Sequence, residues 1–122
     1  MKLVQQAEGD VLVLRLGGQL MGGPDADALR STILASIQQG TEKILIDLGE
    51  ITWVNSTGLG VLITSHLAAR GKGGSLKLVG VSKRIESILS VTRLNTVFEV
   101  FSTEEDARKS FRSSPSGGSE EG

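Results

Sequence analysis

The stretch Lys43–Ile63, KILIDLGEITWVNSTGLGVLI, changes its hydrophobic periodicity partway along, and that change limits what the chain can become. Ile44 to Leu48 is β-branched and aliphatic, the composition of a strand covered on both faces. Beyond Asn55-Ser56-Thr57-Gly58-Leu59-Gly60 the apolar residues Leu59, Leu62, Ile63 and Leu67 recur at helical spacing. They predict a helix from about Ser56 to Arg70 with Gly71 as its stop. A buried strand feeding a helix is the building unit of an α/β sheet.

The order of the remaining elements follows from the same signals. Leu3–Ala7 and Val11–Leu16 read as strands joined by Glu8-Gly9-Asp10, so a hairpin is expected. Gly22-Gly23-Pro24 opens a helix with proline at its first position, Asp25 and Asp27 in the first turn, and Gly40 beyond the end. Leu29, Ile33, Leu34 and Ile37 form its expected inner face. Leu76–Val79 is a strand, and Ser82 caps a helix carrying Ile85, Ile88 and Leu89. Val97–Phe101 is a last strand, and Thr103 with Asp106 resembles a capping box for a final helix ending near Phe111. The result is one α/β domain over residues 1–112, ordered ββαβαβαβα: a mixed sheet of about five strands with about four helices packed against it. From Ser113 on, SSPSGGSEEG has nothing to bury and reads as a disordered tail.

Composition excludes several classes of function. With no cysteine there is no disulfide and no thiolate chemistry. A formal charge of −1 offers no attraction for nucleic acid or an anionic membrane, so neither is expected as a partner. Aromatic residues are too few for a base-stacking platform. Met1 is not followed by a basic, then apolar, export signal, and the expected location is the cytoplasm. In that setting the glycosylation pattern Asn55-Ser56-Thr57 carries no weight.

Ser56 and Thr57 place two hydroxyls at a helix N-terminus, where unpaired N–H groups and the helix dipole favour negative charge. A phosphate added there would leave the fold intact while changing the surface by about −1.5 to −2 charges. From the residues alone, a plain helix N-cap is the preferred reading of Ser56.

With this pattern laid out, the chain resembles the STAS domain family, in particular the bacterial anti-sigma-factor antagonists. The likeness covers roughly Leu3 to Phe111 and is strongest in IDLGEITWVNSTGLGVLI, in SLKLVGVSKRIESILSVTRLNTVFEVF and in TEEDA. The family's switch reads aspartate, serine, serine or threonine, then Gly-Leu-Gly; here it is Asn55, Ser56, Thr57, Gly58, Leu59, Gly60. By that match Ser56 is the phosphoacceptor, with Thr57 a lesser choice. The resemblance implies partner switching. The unmodified antagonist binds an anti-sigma factor that is also a serine kinase, phosphorylation releases it, and a PP2C-type phosphatase restores it. The antagonist itself needs no cofactor or metal.

Two positions depart from the family pattern. Asn55 stands where aspartate is usual, keeping the capping oxygen but losing the charge. Met21-Gly22-Gly23-Pro24 replaces the usual run of Gly-Glu-Leu-Asp into the helix, and in the family this segment helps form the partner-binding face. The expected partner surface is therefore Met21, Gly22, Gly23, Trp53, Asn55, Ser56, Thr57, Gly58, Leu59 and Gly60. An alternative role is a constitutive STAS scaffold or adaptor in a stress-signalling or lipid-transport complex, without phosphoregulation.

Each neighbouring residue also has an ordinary structural role open to it. Gly58 and Gly60 serve either close packing of helix on sheet or the approach of a partner. Trp53 is a partner anchor or a cover for the core edge. Asp47, placed near the C-terminal end of its strand, is expected to support the following loop. Lys83 and Arg84 could meet a phosphate or an acidic partner, and solvated surface charge is the preferred reading.

An enzyme reading finds no support. His66, the one histidine, lies ten residues beyond Ser56 on the same helix, about 15 Å away by helix rise, with no ligand cluster around it. No Gly-x-Ser-x-Gly elbow surrounds Ser56, and Gly71-Lys72-Gly73 is not a phosphate-binding loop. A non-catalytic binding module is expected.

Overall fold

A computed structural model of the chain describes residues 1–113. Its elements run β1 (Lys2–Glu8), β2 (Val11–Leu20), α1 (Pro24–Gln38), β3 (Lys43–Val54), α2 (Ser56–Gly71), β4 (Ser75–Val79), α3 (Lys83–Val91), a 3₁₀ turn (Leu94–Thr96), β5 (Val100–Phe101) and α4 (Glu104–Ser113). This is the expected order with one short turn added. The proposed tail falls outside the described residues, apart from Ser113, which closes α4.

The five strands lie in the order β1-β2-β3-β4-β5. β1 is antiparallel to β2, and the remaining neighbours are parallel. Right-handed crossovers between successive parallel neighbours put their helices on one face of a sheet. Accordingly α1, α2 and α3 share the larger core cluster with Leu14, Ile46 and Leu78. On the other face α4 lays Ala107 and Phe111 over Val13, Leu45 and Val79. Ile44, Leu45 and Ile46 are all fully buried because β3 is central and covered on both sides, as its composition predicts.

Three expectations needed correction. β3 does not end at Leu48: it continues to Val54 because β2 also continues, to Leu20, and the two arms pair through Leu20 and Val54. Gly17 and Gly18 sit at the register shifts between these arms, with Gly18 at φ 93°. Asp47 therefore sits mid-strand. β5 is shorter than Val97–Phe101, since Arg93 takes a left-handed conformation (φ 61°) and winds Leu94–Thr96 into the 3₁₀ turn. Leu34 and Leu67, assigned to inner helix faces, are exposed, Leu67 by 59%. Each lies one position outside the arc its helix presents to the sheet.

The local caps form as the sequence predicts. Ser82 Oγ accepts from Ile85 N–H at 3.2 Å and Thr103 Oγ1 from Asp106 N–H at 3.1 Å. α4 is also held by charge. Arg15 donates two hydrogen bonds to Glu104, both at 2.8 Å, and Arg108 donates to Glu8 at 2.9 Å. Lys77, buried beneath α4, donates to Ser110 at 2.6 Å and lies 4.5 Å from the Phe111 ring centroid.

Candidate functional site

The long β2 and β3 arms carry the Gln19–Met21 and Trp53–Asn55 segments side by side to the same end of the sheet. There the chain turns from β3 into α2 through Asn55. Its backbone is extended (φ −97°, ψ −178°), and its Oδ1 accepts from Gly58 N–H at 2.9 Å. Asn55 N–H in turn donates to the Leu20 carbonyl at 3.3 Å, tying the two arms together. Asn55 thus caps α2 as the sequence predicts, without a charge.

This removes the simpler explanation of Ser56. The cap is its neighbour, and Ser56 is the first helical residue, exposed, with no hydrogen bond to its hydroxyl among the described residues. The first turn of α2 contains no acidic residue, so the positive end of the helix faces this hydroxyl uncompensated. Thr57 is also exposed, and its methyl faces the β2–α1 loop. A β-carbon on Gly22 would lie 3.0 Å from Thr57 Cγ2. The Met21-Gly22-Gly23 loop therefore packs directly on the first turn of α2, bringing two sequence-distant parts of the expected partner surface together. Gly23 (φ 84°) then delivers Pro24 to the first turn of α1, and Met21 remains over a third exposed.

The two glycines separate. Gly58 is buried, and a β-carbon there would collide with the Leu20 carbonyl oxygen and come within 2.9 Å of Leu20 Cγ. Its role is close packing of α2 on β2. Leu59 is likewise a core residue. Gly60 has nothing within 4 Å of where its β-carbon would be. Its bare backbone opens onto solvent, one turn beyond Ser56.

Trp53 is 37% exposed, and the Arg84 guanidinium lies 5.8 Å from its ring centroid. Sequence reading preferred to leave Arg84 solvated; only the tertiary approach of α3 to the β3 arm reveals the pairing. Lys83 is exposed beside it.

The other residues considered lie elsewhere. Asp47 points to the α4 face, where Oδ1 accepts from Gly49 N–H at 2.8 Å; both residues lie within β3, so the following loop it was expected to support is absent. Burial first, and the neighbouring Glu104 carboxyl second, push the Asp47 pKa up. Glu104 itself is held down to about 2, chiefly by its hydrogen bonds from Arg15. His66 is buried in α2, edge-on to Phe98 at 5.2 Å, and burial lowers its pKa. Among the described residues no group of three or more His, Asp or Glu side chains is placed to hold a metal ion. No helix among them is long and apolar enough to cross a membrane.

Comparison with known proteins gives a consistent result. The family model of the STAS domain matches residues 2–107. The anti-sigma-B factor antagonist of Bacillus subtilis is 30% identical over 97 residues, covering 80% of this chain and 86% of that protein. Among solved structures, an anti-sigma factor antagonist from Mycobacterium paratuberculosis superposes with a TM-score of 0.80 at 22% identity, covering 91% of this chain and 93% of that one. The Bacillus cell fate determinant SpoIIAA in its phosphorylated form superposes with a TM-score of 0.75 at 20% identity, covering 91% of this chain and all of the other.

Proposed function

This chain belongs to the STAS domain family, within its anti-sigma-factor antagonists, and from that premise we propose that it acts by partner switching controlled at Ser56. Unmodified, it binds an anti-sigma factor that carries serine kinase activity, and so frees a sigma factor. Phosphorylated on Ser56, it is released, and a PP2C-type phosphatase returns it to the binding form. The domain, residues 1–112, is a non-catalytic binding module working in the cytoplasm.

The observation carrying this reading is the placement of Ser56: an exposed hydroxyl at the first position of α2, relieved of capping duty by Asn55. A phosphate there meets the positive end of a helix, so the fold tolerates it. A partner that buries the neutral hydroxyl cannot bury the dianion unpaired without a cost of several kcal/mol. The surface concerned comprises Met21, Gly22, Gly23, Trp53, Asn55, Ser56, Thr57 and Gly60, with Gly58 and Leu59 positioning it from beneath. The test is intact-mass and fragment analysis of the protein purified from its own cells. One added phosphate mapped to Ser56 is expected; a chain that stays unmodified under every growth condition would contradict the reading.

A further inference from the structure

The first turn of α3 presents Lys83 and Arg84 at its N-terminus, with Glu86 as its acidic residue. Cations there oppose the helix dipole, which favours acids at that end. Among the described residues neither Lys83 nor Arg84 forms an ion pair that would offset this. Arg84 instead holds its guanidinium over Trp53, 5.8 Å from the ring centroid of a partly exposed indole three residues before Ser56. The strand partner of Trp53 is Gln19, which leads into the Met21-Gly22 loop packed on Thr57. The Trp53–Arg84 pair is thus continuous with the Ser56 surface.

The indole offers the guanidinium a cation–π contact, and with no ion pair among the described residues its N–H groups stay free for a planar bidentate acceptor. Covering the indole with a partner would desolvate that edge, and a carboxylate would then pair with it far better than in open water. We infer that Arg84, held by Trp53 and assisted by Lys83, is the specificity-determining residue of the partner-binding surface, and that it receives a carboxylate-bearing segment of the anti-sigma factor. The inference rests on the partner-switching reading and adds to it the chemistry of the partner's contact. Nucleic acid is the disfavoured ligand for these cations, because the chain as a whole carries a net charge of −1.

The test uses the full chain and its purified anti-sigma factor, with affinity measured by calorimetry and by emission of Trp53, the single tryptophan. Arg84→Gln is expected to weaken binding about 30-fold or more, the threshold of an interface hot spot. Arg84→Lys should recover part of the loss, and the difference between wild type and Arg84→Gln should shrink at high salt. Binding of the wild-type chain should shift Trp53 emission. Arg84→Gln binding within twofold of wild type, while Ser56→Glu still binds poorly, would overturn this inference and leave partner switching intact. Failure of the unmodified wild-type chain to bind any anti-sigma factor would remove the reading beneath it. Binding to a mixed-sequence DNA duplex that is lost in Arg84→Gln would assign the cations to a polyanion and overturn the proposal.

Discussion

The carbonyl oxygen of Leu20 occupies the space that a side chain on Gly58 would need, so the first turn of α2 rests on the end of β2 backbone to backbone. That contact fixes the height and direction from which Ser56 projects. Gly58→Ala is expected to destabilise the fold by about 1–3 kcal/mol, the usual penalty for overpacking. Chemical denaturation measures it.

Gly60→Ala should do the opposite. Nothing stands in the way of the added methyl, and alanine favours a helix interior over glycine by about 1 kcal/mol. Stability should therefore rise. If a partner seats against this bare backbone, its affinity should fall in the same variant. A melting curve and a binding titration on one protein separate the two effects.

Asn55→Ala removes the side-chain cap from Gly58 N–H and should cost about 1 kcal/mol. Asn55→Asp keeps the acceptor and adds a charge at the favourable end of the helix, so stability should hold or rise slightly at neutral pH. Urea unfolding of the pair, compared at low and high salt, checks both directions.

Acid sensitivity should centre on α4. The folded pKa of Glu104, about 2, lies below its ordinary 4.5. Its pairing with Arg15 thus contributes fully above about pH 4.5 and is lost as pH falls toward 2. Solvent partly screens the pair, because the Arg15 side chain is about a third exposed. Asp47 shifts the other way: ionised beside Glu104 it costs stability at neutral pH, and that cost disappears as it protonates. Glu104→Gln should be less stable than wild type at pH 7, with a flatter profile between pH 4.5 and 2. Asp47→Asn should be as stable or more so at pH 7, since its amide oxygen can still accept from Gly49 and its NH₂ can donate to Glu104. Unfolding midpoints across pH 2–7 decide this.

Much of this architecture is written in local signals. Ile44–Leu48 announces a doubly covered strand, and Pro24, Gly40, Ser82 and Thr103 mark helix ends by their own backbone chemistry. The anti-sigma-antagonist likeness is legible in the residues from Asn55 to Gly60. What could not be read locally depends on a second segment. β3 reaches Val54 only because β2 reaches Leu20, and Gly58 differs from Gly60 only because Leu20 lies under one of them. Arg84 looks like any surface cation until α3 brings it over Trp53. Leu67 has the spacing of a core residue, yet it falls just outside the face of α2 that the core covers, while Ala69 beyond it is buried.

The most direct test compares the Ser56-phosphorylated chain, verified by mass, with the unmodified chain in titrations against the purified anti-sigma factor. An unfolding curve is recorded for each form. The account predicts that phosphorylation lowers affinity by about a hundredfold or more, equivalent to about 2.7 kcal/mol, while the unfolding midpoint stays put. Equal affinity of two equally folded forms would contradict it.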